Sequence, residues 1–219
     1  MEKNILFVGS HPDDIELGCL GSILHFVKMN ANIYCIIASD GEGGNSDTRK
    51  FSRVEEAVRC LTAAGVREEN IKFLHLPDKQ LVQHNLEVID AVESLCKEKD
   101  ISWAFLQTNL DTHQDHRAVY EATMSAVRDV DNILIYESNS STTPIFSPNY
   151  FFDITPYIEK KTDLLTHHQS QLDRKYMKVD SVAGLARYRG EQSRNMPYAE
   201  AFEVFRLTEK TMESEIPEK

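Results

Sequence analysis

Residues 4–18 read NILFVGSHPDDIELG. The first six, Asn4 to Gly9, form an apolar run ending on glycine, the pattern of a short buried strand. From Ile15 the period changes. Leu17, Leu20, Ile23, Leu24 and Val27 recur on one side of a helix reaching about Asn30. Between the two runs lies a polar cluster, Ser10-His11-Pro12-Asp13-Asp14. A histidine and two adjacent aspartates therefore stand where a strand hands over to a helix. An aspartate there can cap the helix, with proline near its first turn. The same residues can equally begin a functional site, and the rest of the chain has to decide.

Outward from this unit, strand-like and helix-like segments alternate. NIYCIIAS (32–39) is apolar throughout and rich in β-branched residues, as expected of a strand covered on both faces. Arg53 to Gly65 is helical and ends on glycine. IKFLHL (71–76), a helix from Leu86 to Lys99, WAFLQ (103–107), a helix from His113 to Val130 and ILIYE (133–137) follow. The βαβα order predicts a single Rossmann-like α/β domain with a mostly parallel, twisted sheet and helices on both faces. The last third is less regular. SNSSTTP (138–144) reads as a polar loop and YFFDI (150–154) as a strand. Thr155 to His168 reads as a helix opened by Pro156, Lys178 to Arg187 as a short helix, and EAFEVFRL (200–207) as a final strand. The domain is expected to span 1–207, with a charged, frayed tail over 208–219.

Composition excludes several functions. The 219 residues carry 24 Lys and Arg against 35 Asp and Glu, a formal charge of −11, with no long basic run. Nucleic acid and anionic membrane are poor partners for such a surface, because phosphate neutralisation needs clustered cations. Cys19, Cys35, Cys60 and Cys96 form no CxxC pair and fall inside apolar patterns, so they read as buried thiols in a reducing compartment. No signal-peptide pattern is visible, and no apolar stretch approaches the ~20 residues a membrane helix needs. The expectation is a cytoplasmic protein, and the Asn139-Ser140-Ser141 sequon is discounted on that ground.

Open parallel sheets bind ligands beyond the carboxyl ends of their strands. Here those are loops 10–14, 39–52, 77–84 and 108–116, where Asp, His and Gly concentrate. Asp111, His113, Asp115 and His116 follow the fourth strand, and the two histidines, three apart at a helix start, share a face. Two histidines and a carboxylate from separate loops can make a three-ligand metal site with a position open to water. A divalent metal there lowers the pKa of water to about 7 and polarises a carbonyl. The remaining carboxylate and histidine are then available as general base and acid. Capping competes here too, since Thr112 to Asp115 resembles a capping box with Asp in place of Glu. Capping requires histidine at neither place, and the conjunction of both motifs on one sheet edge favours the metal site.

The pattern resembles the PIG-L/LmbE-like zinc deacetylases, the N-acetylglucosaminyl de-N-acetylase family. The family's [A/G]HPDD motif stands here as Ser10-His11-Pro12-Asp13-Asp14, with serine in the first place, and its HxDH motif as His113-Gln114-Asp115-His116. Arg53 to Val66 is similar to its R-x-x-E helix, Leu76-Pro77-Asp78 to its L-x-D loop, Lys161 to Gln171 to a later K…H-x-S-Q helix, and Ala199 to Phe202 to its A-E-x-F strand. The resemblance implies His11, Asp14 and His116 as metal ligands, with zinc as the metal or Fe2+ in its place. It implies Asp13 as general base. It implies His113 as oxyanion stabiliser or acid for the leaving amine, with Asp115 orienting it. Arg53 and Asp78 match positions that hold sugar hydroxyls in some members of the family. The residues alone do not separate Asp13 from Asp14. The implied reaction removes acetate from an N-acetylglucosamine-type amino sugar or its conjugate, a small-molecule substrate, in a trimeric or hexameric homo-oligomer.

Two other classes use parts of the same pattern. Two histidines and one carboxylate also describe the facial triad of non-haem iron oxygenases. A non-catalytic sugar- or nucleotide-binding module could keep the fold. Asp40-Gly-Glu-Gly-Gly44 reads as a ligand-approaching or flexible loop, and His75 as a core or edge residue of strand three. His25 and His84 lack partners at ligand spacing, and Arg187, Arg189 and Arg194 read as solvated surface.

Overall fold

The alternation in β1 (Asn4–Gly9) divides the core in two. Ile5 and Phe7 join one buried cluster, with Ile15, Leu20, Ile23 and Cys60 from helices α1 (Asp14–Lys28) and α2 (Arg53–Ala63). Leu6 and Val8 join the other, with Val88, Val92, Val119 and Ala122 from α3 (Asn85–Lys99) and α4 (Gln114–Ala126). A strand buried on both faces requires helices on both faces, and the chain supplies them. The computed structural model describes residues 3–44 and 52–208, so residues 45–51 of the loop after the second strand and 209–219 of the charged tail lie outside it. Thr208, where the frayed tail was expected to begin, is held by Asn132 Oδ1 and the Asp131 carbonyl, both at 2.9 Å.

The remaining strands are β2 (Asn32–Ser39), β3 (Ile71–Leu76), β4 (Trp103–Gln107), β5 (Asn132–Tyr136), β6 (Tyr150–Asp153) and β7 (Ala199–Arg206). Among the described residues they form one sheet in the order β3-β2-β1-β4-β5-β7-β6. The first five strands run parallel, and β7 is antiparallel to both β5 and β6. The order reverses between β1 and β4. The loops leaving those two strands part in opposite directions there and open a crevice at their carboxyl ends. His11 to Asp14 follow β1 and Asp111 to His116 follow β4, so both motifs fall at this switch point. No described helix is long and apolar enough to cross a membrane.

Local chemistry sets the element ends. Ser52 caps α2 by accepting the Glu55 N–H at 3.3 Å, and Gly65, at φ +100°, turns the chain beyond it. Helix α4 departs from the expected capping box. His113 is its N-cap and lies outside the helix, and its ring accepts the Asp115 N–H. The expected 155–168 helix is broken into a 3-10 turn at Thr155–Tyr157, α5 (Ile158–Leu164) and a second 3-10 turn at Leu165–His167. His168 leaves helical geometry at ψ 60° and puts its ring against Glu16. The helix expected at 178–187 runs further, as α6 (Val179–Ser193). Arg189 on it is not solvated surface. It is buried and makes a two-pronged pair with Glu137 at 2.6 Å.

Helix α1 is fastened to the last strand by a buried polar lock. The Glu200 carboxylate accepts the Gly21 and Ser22 N–H groups at 2.7 Å, the Ser22 hydroxyl at 2.6 Å and the Lys161 ammonium at 2.7 Å. Lys161 also donates to the Leu17 carbonyl at 2.6 Å. Glycine at 18 and 21 permits this approach, since a Cβ on Gly18 would overlap the Tyr136 ring and one on Gly21 would stand 2.5 Å from Ile154. Removing one partner of a buried pair leaves an uncompensated charge, at a cost of about 3–5 kcal/mol. Glu200→Ala is therefore expected to lose about that much unfolding free energy in urea titration. A loss under about 1 kcal/mol would show that the lock contributes little.

Candidate metal centre

At the switch point the backbone takes an unusual turn. Asp13 precedes α1 at φ 118°, and its side chain makes no capping hydrogen bond. The capping explanation of the aspartate pair therefore fails at Asp13. Its carboxylate meets Arg53 Nη2 at 3.0 Å. The same guanidinium donates to the Pro12 carbonyl at 2.7 Å and the Gly41 carbonyl at 2.9 Å. Gly41, at φ +67°, leaves the room, since a Cβ there would stand 2.5 Å from Arg53 Nη1. Burial pushes the Asp13 carboxyl up to about 6, against the pull of the Arg53 cation.

Asp14 faces the other way. Its Oδ2 accepts the His11 N–H at 2.9 Å and lies 3.3 Å from His11 Nδ1 and 3.4 Å from His116 Nε2. Ser138 reaches its Oδ1 at 3.4 Å. Burial opposes its ionisation, yet His116 and His11 hold it well below the usual carboxylate range. Donors bound to one tetrahedral zinc at about 2.0–2.1 Å stand about 3.4 Å apart, so these oxygen–nitrogen spacings suit a single coordination shell. His113 also brings a ring nitrogen within 4.8 Å of those of His11 and His116.

A second layer fixes each histidine. The far nitrogen of His11, Nε2, lies 3.3 Å from Asp115 Oδ2 and 3.2 Å from Asp78 Oδ1. His116 Nδ1 lies 3.0 Å from Asp111 Oδ2. Carboxylates behind histidines set the tautomer and leave the opposite nitrogen as the donor to a metal. His11 therefore offers Nδ1, His116 offers Nε2, and both face Asp14. His113 differs. Its Nδ1 accepts the Asp115 N–H at 3.3 Å, so the neutral ring carries its proton on Nε2. Burial, with His11 and His116 beside it, lowers its pKa and favours that neutral form. Its ring stacks on His116 at 4.6 Å between centroids.

All eight expected site residues come together. His11, Asp13, Asp14, Arg53, Asp78, His113 and His116 line a cavity of about 340 Å³, and Asp115 is buried behind His11. The Asp115 carboxylate touches His11 and the Lys79 and Leu81 N–H groups, and only its backbone reaches His113. Asp78 is occupied by His11 and by the Gly43 N–H at 2.7 Å. Asp111 entered the sequence reading without a role, and the structure puts it on His116. Lys79, Ser140, Ser141, Arg174 and Tyr176 line the cavity with no motif to announce them. His75 is exposed on edge strand β3 and pairs with Asp40 at 2.8 Å. A separate buried group, Glu16, Cys60 and His168, packs beneath α1 and does not line the cavity.

Comparison with known proteins agrees with this geometry. Residues 6–127 match the family model described as PIG-L, GlcNAc-PI de-N-acetylase. The chain is 32% identical over 174 residues to the uncharacterized deacetylase YaiS of Escherichia coli K12, covering 77% of this chain and 91% of that protein. It is 25% identical over 190 residues to the diacetylchitobiose deacetylase of Thermococcus kodakarensis, covering 77% and 70%. The fold superposes on the N,N'-diacetylchitobiose deacetylase of Pyrococcus horikoshii with a TM-score of 0.78, at 23% identity over 93% of this chain and 84% of that one. A switch-point crevice, the two motifs and the match over residues 6–127 lead to one assignment: the chain belongs to the PIG-L de-N-acetylase family, a family of amide hydrolases.

Proposed function

We propose that the protein is a zinc-dependent N-deacetylase that releases acetate from an N-acetylated amino sugar or its conjugate. The observation that carries the reading is the placement of Asp14 Oδ2 at 3.3 and 3.4 Å from one nitrogen each of His11 and His116, with the Asp13 carboxylate turned away from that triangle. In this reading His11, Asp14 and His116 hold the metal. A divalent metal supplies, when bound, a water acidified to a pKa of about 7 and a Lewis acid for the amide carbonyl.

The chain's own residues do the rest. Asp13 takes a proton from the attacking water. A raised carboxyl pKa suits that task, because a base works best near the ambient pH. Arg53 positions Asp13 and keeps it off the metal ligands. His113 holds the amide oxygen with an Nε2–H hydrogen bond as charge gathers there, and Asp13 passes the proton it took from water to the amine as the C–N bond breaks. Asp115 fixes His113 through its backbone and His11 through its carboxylate. Asp111 orients His116. Arg53 and Asp78 present their remaining edges to the cavity, where they meet sugar hydroxyls. Membership of an amide-hydrolase family places hydrolysis ahead of the dioxygen chemistry that two histidines and a carboxylate can also support. Metal analysis of protein purified without added metal, with an oxygen-uptake assay, separates the two.

His11→Ala, Asp14→Ala and His116→Ala are each expected to lose metal on purification, since three ligands leave little redundancy. Asp111→Asn is expected to weaken metal affinity about 10- to 100-fold through His116. Stoichiometric metal in all three alanine variants would refute the ligand assignment.

Asp13→Asn is nearly isosteric and removes the base. It is expected to keep metal while kcat for acetate release falls by about 10²–10⁴. Metal lost from Asp13→Asn but kept by Asp14→Asn would exchange the two roles. An unchanged kcat would take Asp13 out of the mechanism.

A further inference from the structure

Beneath the turn that carries Asp13 and Asp14, three side chains with metal-binding chemistry converge outside the cavity. Glu16 stands in the first turn of α1, Cys60 in the last turn of α2, and His168 just past the 3-10 turn at Leu165–His167. All three are fully buried, at 0% exposure. One carboxylate oxygen, one sulfur and one ring nitrogen lie within 4.8 Å of one another. Cys60 belongs to an apolar cluster with Leu20, Ile23, Leu61, Leu164 and Leu165.

Protein groups leave this trio poorly served. Among the described residues, neither oxygen of Glu16 and neither nitrogen of His168 has a hydrogen-bond partner. The two side chains meet at one point, His168 Nε2 to Glu16 Oε1 at 3.2 Å, in an ion pair too misaligned for a hydrogen bond. Glu56 and Glu200 are also buried, and protein donors fill both oxygens of each. Buried polar groups are nearly always bonded, and a carboxylate taken from water with neither oxygen bonded is costly. The expected 155–168 helix nevertheless breaks to bring His168 to this place, at ψ 60°.

We propose that Glu16, Cys60 and His168 bind a divalent zinc ion as a structural site, separate from the ligands proposed for acetate release. Thiolate, imidazole and carboxylate are zinc's donors, and structural zinc takes four of them. Three residues supply four when Glu16 binds through both of its open oxygens. Donors on one tetrahedral zinc stand about 3.4 Å apart, and the Oε1–Nε2 spacing already suits that. The charge balances as well. Without metal, burial holds the Cys60 thiol well above its ordinary range, so it keeps its proton. Against the pull of burial, Glu16 raises the pKa of His168. An ionised Glu16, a protonated His168 and a neutral Cys60 sum to zero. Zinc sends one proton from His168 and one from Cys60 to solvent and keeps the sum at zero, so the apolar core takes up no net charge. The ion ties α1, α2 and the chain at His168 together, two residues from Asp14.

His11, Asp14 and His116 include no sulfur, so a thiolate signature reports this site alone. The chain is produced in cells grown on cobalt in place of zinc, so that the buried site fills as the protein folds. Cobalt per chain is counted by elemental mass spectrometry, and thiolate-to-cobalt charge transfer is read in the near-ultraviolet spectrum. The wild-type chain is expected to hold about two ions and to show the band. Cys60→Ala deletes only the sulfur. It is expected to fold, hold about one ion and lose the band. His168→Gln is expected to lose the same ion and serves where Cys60→Ala does not fold. Cys96→Ala alters the half-buried thiol and is expected to keep both ions and the band. His11→Ala is expected to lose the other ion and keep the band, which also assigns any metal left in the alanine variants of the proposed catalytic ligands. A wild-type chain without the band, or a band that survives in Cys60→Ala, overturns the proposal. A band lost in Cys60→Ala beside metal content unchanged in His11→Ala keeps this site and counts against the catalytic ligand assignment.

Discussion

The site depends on one guanidinium. Arg53 opens α2, yet its side chain reaches across to the turn between β1 and α1. There it binds the Pro12 carbonyl, the Gly41 carbonyl and the Asp13 carboxylate at once. Asp13 at φ 118° is costly for a residue with a Cβ. The Arg53 contacts offset that cost, and the turn separates two neighbouring carboxylates that would otherwise repel. Asp13 goes to the cation, and Asp14 goes to the histidines. The proposed reaction needs one carboxylate as ligand and another as base, and adjacent positions can supply both because the backbone between them is bent.

Much of the fold was legible because it rests on local period. The five parallel strands and the helices between them follow from short continuous apolar runs such as β1 and β2, from 3.6-residue spacing in α1 and from the glycine that ends α2. Six of the eight site residues were legible from two motifs at the carboxyl ends of adjacent central strands, and Arg53 and Asp78 from the resemblance of the R-x-x-E helix and the L-x-D loop. What escaped is carried by contacts distant in sequence. Arg189 looks like a surface arginine until Glu137, 52 residues earlier, is placed against it. The 155–168 segment looks like one helix until His168 must meet Glu16. Helix propensity reports what a segment favours alone, and a buried polar partner overrides it. The contacts that Asp78 and Asp115 make with the far side of His11 escaped for the same reason.

The weaker motifs of the last third acquire a meaning in pairs. Glu56 of the R-x-x-E helix holds Ser170 of the H-x-S-Q segment. Lys161 of that segment holds Glu200 of the A-E-x-F strand. His168 meets Glu16, two residues beyond the aspartate pair. Each motif reads as a half, and its complement lies elsewhere in the chain.

These locks also explain why so much buried polarity sits next to an apolar core. Apolar contacts are nearly indifferent to small rotations of a helix on a sheet, whereas a carboxylate bonded to two particular N–H groups is not. Glu200 takes the Gly21 and Ser22 N–H groups and so sets how far α1 is turned. The turn of α1 sets where Asp14 stands at its first residue. Ser170 and His168 in turn place the Gln171 to Tyr176 wall over the same cavity. A buried ion pair contributes little net stability against an apolar replacement. Its value here is positional, because the proposed ligands His11, Asp14 and His116 can share one metal only when the elements carrying them hold one mutual orientation.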